Sequence, residues 1–229
     1  MKGSSALRLA RHEWRLILKE SRFVYPFLVS PVLIIGVQAF AVFFRGAASD
    51  SEAMVVSRTL LLMLAVLAPS MAVPLGADSF AGEKERNTLE ILLCLPVGPV
   101  SLFWGKVMGI LPLPVLVGLM SQGVLLAVLS LKVDLPAEYW PGTLKAVALT
   151  PAVGLFFCSI SAFVSMGSDT VRGAAQVCSL AMLAIFVVVL SLSGMLYTSS
   201  LYFGALLAGL LIGSALCLLF ARRRFLRLP

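Results

Sequence analysis

The stretch FAGEKERNTLEILLCLPVGPVSLFWGK, residues 80–106, gathers charge in a chain whose neighbouring segments have almost none. The charged residues in its first half are Glu83, Lys84, Glu85, Arg86 and Glu90. The segments before and after it are too apolar to form the surface of a soluble protein, so solubility does not explain this charge. The stretch therefore predicts a polar link between two apolar segments.

The composition of the whole chain indicates a membrane protein. Of its 229 residues, 60% are hydrophobic and only 13% are charged, whereas a soluble domain is about half apolar and about a quarter charged. The mean hydropathy is +1.01. The length fits one compact bundle, so we expect a single transmembrane domain over residues 1–229.

Six apolar runs are long enough to cross a bilayer, which takes about 20 residues in a helix. They are approximately 23–44, 59–78, 103–131, 143–166, 174–196 and 202–221. Membrane β-strands would be about 10 residues long with alternating polarity, and the sequence shows neither feature. We therefore predict an all-α, polytopic membrane protein with six transmembrane helices and both termini on one side.

The segment before the first run predicts an amphipathic helix, which we place within an N-terminal interfacial element over residues 1–22. Its basic residues share one side of a helical projection, and its apolar side carries Trp14. The basic residues are Arg8, Arg11, Arg15, Lys19 and Arg22. A helix of this kind lies in the membrane interface. It either sets the angle of the first span or also contacts a cytoplasmic partner.

The positions of lysine and arginine predict which side faces the cytoplasm. The two termini, the 80–106 stretch and the 167–173 loop together carry 14 of these residues, and the other side carries four. Since cytoplasmic loops are enriched in Lys and Arg, we expect both termini and the 80–106 stretch in the cytoplasm. Topology thus accounts for the net charge of +7, and no nucleic-acid partner is expected.

Enzymatic chemistry in this chain is not expected. No Asp, Glu, Lys, Arg or His lies deep in a predicted span, and such residues mark proton relays and functional sites in membranes. The sequence has no GxxxxGK[ST] motif, so we expect no ATP site of that kind. The four cysteines lack metal-ligand spacing, so we expect no metal site, disulfide or cofactor in the chain. They are Cys94, Cys158, Cys178 and Cys217.

Residues 79–102 predict a cytoplasmic loop that contains a short helix. Asn87 is a good N-cap, and Glu90, three residues later, completes a capping box. The leucines that follow form a short apolar stripe, which Pro96 ends, and Pro99 suits the first position of the next helix. This element is either a connector resting on lipid headgroups or a docking element for a soluble partner. Its charged flank favours the docking element.

The same residues carry a resemblance to a known family. The order Glu-x-Glu-x-Asn-Thr-Leu-Glu-x-Leu-Leu from Glu83, followed by Pro96 and then Gly105-Lys106, resembles the cytoplasmic motif of ABC type-2 permeases. Asn87 stands where that motif usually has glycine, and asparagine tolerates the left-handed conformation better than most residues. The span count and the amphipathic leader extend the resemblance over the whole chain.

The resemblance implies a transmembrane permease subunit of an ATP-driven ABC exporter. A separate ABC ATPase subunit would bind ATP-Mg and move the short helix as a coupling helix. The ATPase-coupling residues implied are Glu83, Glu85, Arg86, Asn87, Thr88, Leu89, Glu90, Leu93, Pro96 and Lys106. The working unit would hold a homodimer of permeases, surrounded by lipid in the inner membrane of a prokaryote. Substrate would pass between the two copies, near the first and fifth spans.

Two other functions fit the same sequence. A haem-exporter-like subunit for cytochrome maturation has a similar size and number of spans. A membrane scaffold or assembly factor without transport activity also fits, and it differs in that the loop could be changed without loss of an ATP-dependent phenotype. The substrate stays open among ions, copper-linked species, drugs, lipids and haem.

Overall fold

The computed structural model describes residues 50–86, 88, 98–131 and 136–226, together with the isolated positions 11, 14, 15, 29, 32 and 36. The predicted interfacial element and the first predicted span fall almost wholly outside these residues. Every regular element in the described part is helical. The α-helices are α1 (Asp50–Leu67), α2 (Ala72–Glu85), α3 (Pro99–Ile110), α4 (Pro112–Ser130), α5 (Trp140–Ser165), α6 (Val171–Ser191), α7 (Ser193–Thr198) and α8 (Ser200–Phe225).

Five stretches in the described part are helical, long and apolar enough to cross a membrane. They are Met54–Glu85, Pro99–Ser130, Ala137–Ser165, Val171–Ser191 and Ser200–Phe225. They match the second to sixth predicted spans, so the all-α, polytopic fold class is confirmed. Two short 3-10 helices, Pro69–Met71 and Ala137–Tyr139, belong to the first and third of these stretches.

The loop between the second and third spans is shorter than predicted. Residues 79–85 continue α2, and residues 99–102 already belong to α3. The prediction ended the span where the apolar run ends, but glutamate and lysine are good helix formers and continue the helix. The charged residues up to Glu85 therefore lie on a membrane helix that extends past its apolar part.

Two spans are interrupted near their middle by proline. Pro69 opens a 3-10 turn between α1 and α2, and Pro112 opens α4 directly after Leu111. Proline has no N–H to donate, so the helical hydrogen-bond ladder loses a bond at each site. A Cβ added to Gly154 of α5 would lie 3.5 Å from the Pro69 side chain and 4.0 Å from that of Leu111. The interruptions therefore lie side by side, and we call Pro69, Leu111 and Gly154 the break layer.

Helix α5 is the centre of the bundle and packs against α1, α2, α6 and α8. Phe103 of α3 joins the core near one end, with its ring centroid 5.8 Å from the rings of both Phe80 and Phe225. All three rings are buried. This aromatic cluster holds the end of α2, the start of α3 and the end of α8 together.

Gln122 is the largest polar side chain buried in the middle of the described spans, and it is a structural tie. Its Nε2 donates to the carbonyl oxygens of Leu61 at 3.2 Å and Ala146 at 3.3 Å. Its Oε1 accepts from Thr150 Oγ1 at 3.0 Å. Because a buried amide costs free energy unless it is hydrogen-bonded, these contacts fix α4 against α1 and α5.

The bundle has two chemically different ends. At one end the Arg58 guanidinium lies 5.2 Å from the Tyr139 ring centroid and 5.8 Å from that of Tyr197. We call this the aromatic end. Burial raises the pKa of Tyr197, and the Tyr139 phenol adds to the rise while Arg58 lowers it. Tyr197 therefore stays neutral and donates its hydroxyl hydrogen to the Arg58 carbonyl oxygen.

The other end, which we call the charged end, holds the end of α2, the start of α3 and the loop between α5 and α6. The Lys84 ammonium reaches the Ser168 carbonyl oxygen in that loop. The Arg224 side chain lies over Gly167, so the end of α8 is also here. The connections therefore alternate between the two ends, as the predicted topology requires.

Candidate functional site

A buried ion pair between Lys106 and Glu83 joins α3 to α2 at the charged end. The Lys106 side chain is fully buried, and that of Glu83 is 15% exposed. The Lys106 ammonium donates to Glu83 Oε1 and, at 2.9 Å, to the Ser79 carbonyl oxygen. Its nitrogen also lies 5.7 Å from the Phe80 ring centroid. A buried charge is tolerated only when it is paired and hydrogen-bonded, so this geometry specifies one relative position of the two helices.

The local sequence places Lys106 on this face of α3. Gly98 precedes the helix with an extended conformation, φ −57° and ψ 140°, and Pro99 occupies the first turn. Proline is well suited to this position because its missing N–H would have no partner there. The Gly98 carbonyl oxygen accepts from Ser101 N at 2.8 Å, which closes the first turn.

Lys84 and Glu85 connect α2 to the loop between α5 and α6. Lys84 Nζ donates to the carbonyl oxygens of Ser168 at 3.2 Å and Met166 at 3.4 Å, and it lies 3.8 Å from an Asp169 carboxylate oxygen. Glu85 Oε2 accepts from Val171 N at 3.0 Å.

Val171 is the first residue of α6, where backbone N–H groups have no partner inside the helix. The Glu85 carboxylate therefore satisfies one of these donors and complements the positive end of the helix dipole. Thr170, the N-cap residue, accepts from Gly173 N at 3.2 Å. The start of the fifth span is thus held partly by its own cap and partly by the end of the second span.

Arg86 and Thr88 end α2. Arg86 pairs with Asp78, one guanidinium nitrogen lying 2.6 Å from a carboxylate oxygen, but its side chain is 58% exposed. Exposed pairs of this kind contribute little to stability. Thr88 donates from its backbone N at 3.0 Å and from Oγ1 at 3.3 Å to the Glu83 carbonyl oxygen. These bonds add to the one from Arg86 N to the Gly82 carbonyl oxygen at the end of α2.

The structure brings together the predicted coupling residues that it describes. Glu83, Glu85, Arg86, Thr88 and Lys106 all lie at the charged end. The other predicted coupling residues lie outside the described residues, as does the predicted short helix, so these remain predictions. They are Asn87, Leu89, Glu90, Leu93 and Pro96.

The described charges are not arranged as on a simple docking surface, where charged side chains point outwards to a partner. Glu83 and Lys106 face each other, and Glu85 faces the start of α6, so these groups hold the spans together. Sequence reasoning missed Ser79 and the contact between Lys84 and the loop over residues 166–171. Thr170 stands directly before an apolar run, which is a sequence signal for the N-cap of a helix. No local signal in the sequence pairs helix α6 with Glu85.

Within the described ranges the charged end shows no cluster of metal-ligating side chains. There, no group of three or more His, Cys, Asp or Glu side chains could hold a metal ion. The Lys106–Glu83 ion pair crosses from α3 to α2, and the Glu85 carboxylate meets the start of α6. What the arrangement provides is mechanical, because it makes the ends of α2, α3 and α6 one connected body.

These features define a class, the multi-pass α-helical membrane protein whose spans are tied together by charged residues at one end. The family model for ABC-2 family transporter proteins matches residues 7–210, and the chain belongs to this family. The resemblance seen in the sequence is thereby confirmed. The comparison with curated proteins returned no match.

Proposed function

We propose that this chain is the permease subunit of an ATP-driven ABC exporter and that a separate ABC ATPase supplies the energy. Members of the ABC-2 family generally work with such an ATPase. The ATPase would bind ATP-Mg, and the permease would hold no cofactor and perform no hydrolysis. The chain would act in the inner membrane of a prokaryote, with the charged end and both termini in the cytoplasm.

The observation that carries this proposal is the connection between α2, α3 and α6 at the charged end. The segment over residues 87–97, which joins α2 to α3, starts and ends at helices fixed to each other by Glu83 and Lys106. A force applied to this segment therefore reaches the second and third spans together. Through Glu85 and Val171 it also reaches the start of the fifth span.

Two copies of the permease would form the transport path. Helix α6 leaves a row of apolar side chains exposed in the single chain, including Val177, Leu180, Leu183 and Val187. This face supports the proposed homodimer, with substrate passing between the copies near the fifth span. The family does not decide among the possible substrates.

The test separates docking of the ATPase from transmission of its motion. The chain is purified from membranes with a co-expressed ABC ATPase, and both the bound ATPase and the rate of Mg-ATP hydrolysis are measured. Leu89→Glu combined with Leu93→Glu is expected to abolish co-purification, because both leucines are among the residues proposed to couple the chain to the ATPase. Glu83→Gln is expected to keep the ATPase bound but to lower hydrolysis, because Lys106 loses the negative charge of the Glu83 carboxylate.

Asp169→Asn is the matched control, since its carboxylate is almost completely exposed and makes only a long contact with Lys84. This variant is expected to retain both association and hydrolysis. Unchanged co-purification of the double leucine variant would contradict the docking role. If removal of this chain leaves every ATP-dependent transport phenotype intact, the chain is instead a scaffold.

A further inference from the structure

An apolar groove of about 350 Å³ runs along the second half of α8, towards the charged end. It is lined by Trp104 of α3, Leu155 of α5 and, from α8, Leu211, Ser214, Ala215, Leu218, Leu219 and Arg222. Leu211 and Leu219 are half exposed, so the groove opens on the outer surface of the bundle. Its walls are suited to a hydrocarbon chain.

Arg222 lies at the end of this groove and has an unpaired polar atom. It belongs to the last turn of α8, and its Nε is buried without a hydrogen-bond partner. None of the ion pairs within the described ranges involves this arginine. Arg222 as a whole is only half-buried and lines the groove, so its guanidinium can be reached by an external anion, which would offset the cost of a charge beside apolar side chains.

The neighbouring arginines face a different groove and provide a comparison. Arg223 and Arg224, with Phe163 and Phe220, line a separate space of about 330 Å³. Both arginines are exposed. Consecutive residues of one helix end therefore direct their charge towards two different surfaces, and only Arg222 closes the apolar groove.

We propose that this groove binds an anionic phospholipid from the surrounding leaflet, with one acyl chain along the groove and the phosphate on Arg222. The guanidinium group is matched in shape and charge to a phosphate. A free phosphate would leave the apolar walls uncovered, and an uncharged hydrocarbon would leave Arg222 unpaired. A phospholipid satisfies both parts at once, and this inference does not depend on the proposed transport function.

The bound lipid contacts the structure that holds the charged end together. Trp104 in the groove wall packs edge-on against Phe103, with ring centroids 5.7 Å apart, and Lys106 lies two residues further along α3. A lipid in this groove therefore braces α3 against α8 from outside. We expect it to stabilise the folded protein in detergent.

The test measures thermal unfolding of the purified full-length chain in detergent with added phosphatidylglycerol, phosphatidylcholine or inorganic phosphate. Phosphatidylglycerol is expected to raise the midpoint, and phosphate alone is not. Arg222→Gln is expected to weaken the phosphatidylglycerol response by about tenfold in concentration, as expected for the loss of one charge-assisted contact. Arg223→Gln removes the same charge from the other surface and is expected to keep the full response.

A second variant tests the acyl groove without changing charge. Ala215→Phe fills the groove at an exposed position of α8 and is expected to abolish the response to phosphatidylglycerol while the lipid-free protein still folds. Equal loss in Arg222→Gln and Arg223→Gln would show general electrostatic attraction and overturn the site. Equal stabilisation by phosphatidylcholine would overturn the requirement for an anionic lipid.

The identity of the occupant is measured directly with a photo-reactive amino acid at position 215 in native membranes. A cross-linked phospholipid, seen as a lipid mass on the peptide that contains residue 215, supports the proposal. A cross-link to residues 1–49 of the same chain, or to a second copy, would show that protein covers the groove and would overturn it.

Discussion

Lys106 shows how a single charge can define the position of a helix. Its ammonium is removed from solvent and held by Glu83 and by the Ser79 carbonyl oxygen. A buried pair of this kind adds little net stability compared with well-packed apolar residues, but breaking it is costly. The pair is therefore better understood as fixing the register of α3 on α2 than as a source of stability.

This reading predicts strongly non-additive mutations. Lys106→Met is expected to destabilise the protein by about 3–5 kcal/mol, because the Glu83 carboxylate loses its buried partner. Glu83→Leu is expected to destabilise it because the buried Lys106 ammonium then loses the Glu83 carboxylate. The double variant is expected to be closer to the wild type than either single variant.

Thermal unfolding in detergent measures all three variants, and Asp169→Asn, whose side chain is almost completely exposed, serves as the control, with a change near zero. If the destabilisation of the double variant equals the sum of the single ones, the two side chains are not coupled and the interpretation is wrong.

At the level of the elements, close packing between α2 and α5 depends on a missing side chain. A Cβ added to Gly76 would lie 2.5 Å from Ser161 Oγ and 2.8 Å from Ser161 Cβ. Ser161 is buried and donates to the Val73 carbonyl oxygen at 2.9 Å. Neither helix has room to move without disturbing this bond, so glycine sets the distance between them.

Gly76→Ala is therefore expected to destabilise the folded protein by about 1–3 kcal/mol through overpacking. Adding Ser161→Gly to this variant is expected to recover part of the loss. Gly123→Ala in α4 is the control, because nothing lies within 4 Å of its added Cβ, and it is expected to be neutral or slightly stabilising. A Gly76→Ala variant with an unchanged unfolding midpoint would contradict the packing seen here.

The sequence predicts the elements better than the contacts between them. Apolar length alone locates the described spans. Proline alone does not locate their interruptions, because Pro151 lies inside the continuous helix α5 whereas Pro69 and Pro112 lie at breaks. The pairing of Lys84 with the loop over residues 166–171 is different, because it joins segments that are far apart in the chain. Such pairings depend on how the bundle closes, and a single sequence carries no local pattern for them.

For the whole molecule, the alternation of connections between the charged and aromatic ends makes the topology testable. With the four native cysteines replaced by alanine, Ala137→Cys at the aromatic end and Asp169→Cys at the charged end provide two exposed labelling sites. In intact cells stripped of any outer membrane, an impermeant maleimide is expected to label position 137. Position 169 is expected to react only after permeabilisation, because the excess of arginine and lysine at the charged end predicts that this end faces the cytoplasm.

Labelling in the reverse pattern would place the charged end outside and remove it from any cytoplasmic ATPase. Reaction of both positions in intact cells would contradict the alternation of connections that the structure shows.

The break layer has a mechanical consequence for the whole bundle. Pro69 and Leu111 lie near the middle of their spans. An unbroken helix loses backbone hydrogen bonds when it bends, and beside these two residues such bonds are already absent. A crease across neighbouring helices at one depth would let the half that carries α2 and α3 lean only together with the second half of α5, because Gly76 and Ser161 leave α2 no room to move on α5. The cross-section of the bundle in the leaflet on that side would then change, while α1 and α4 on the other side of the crease keep their positions against α5.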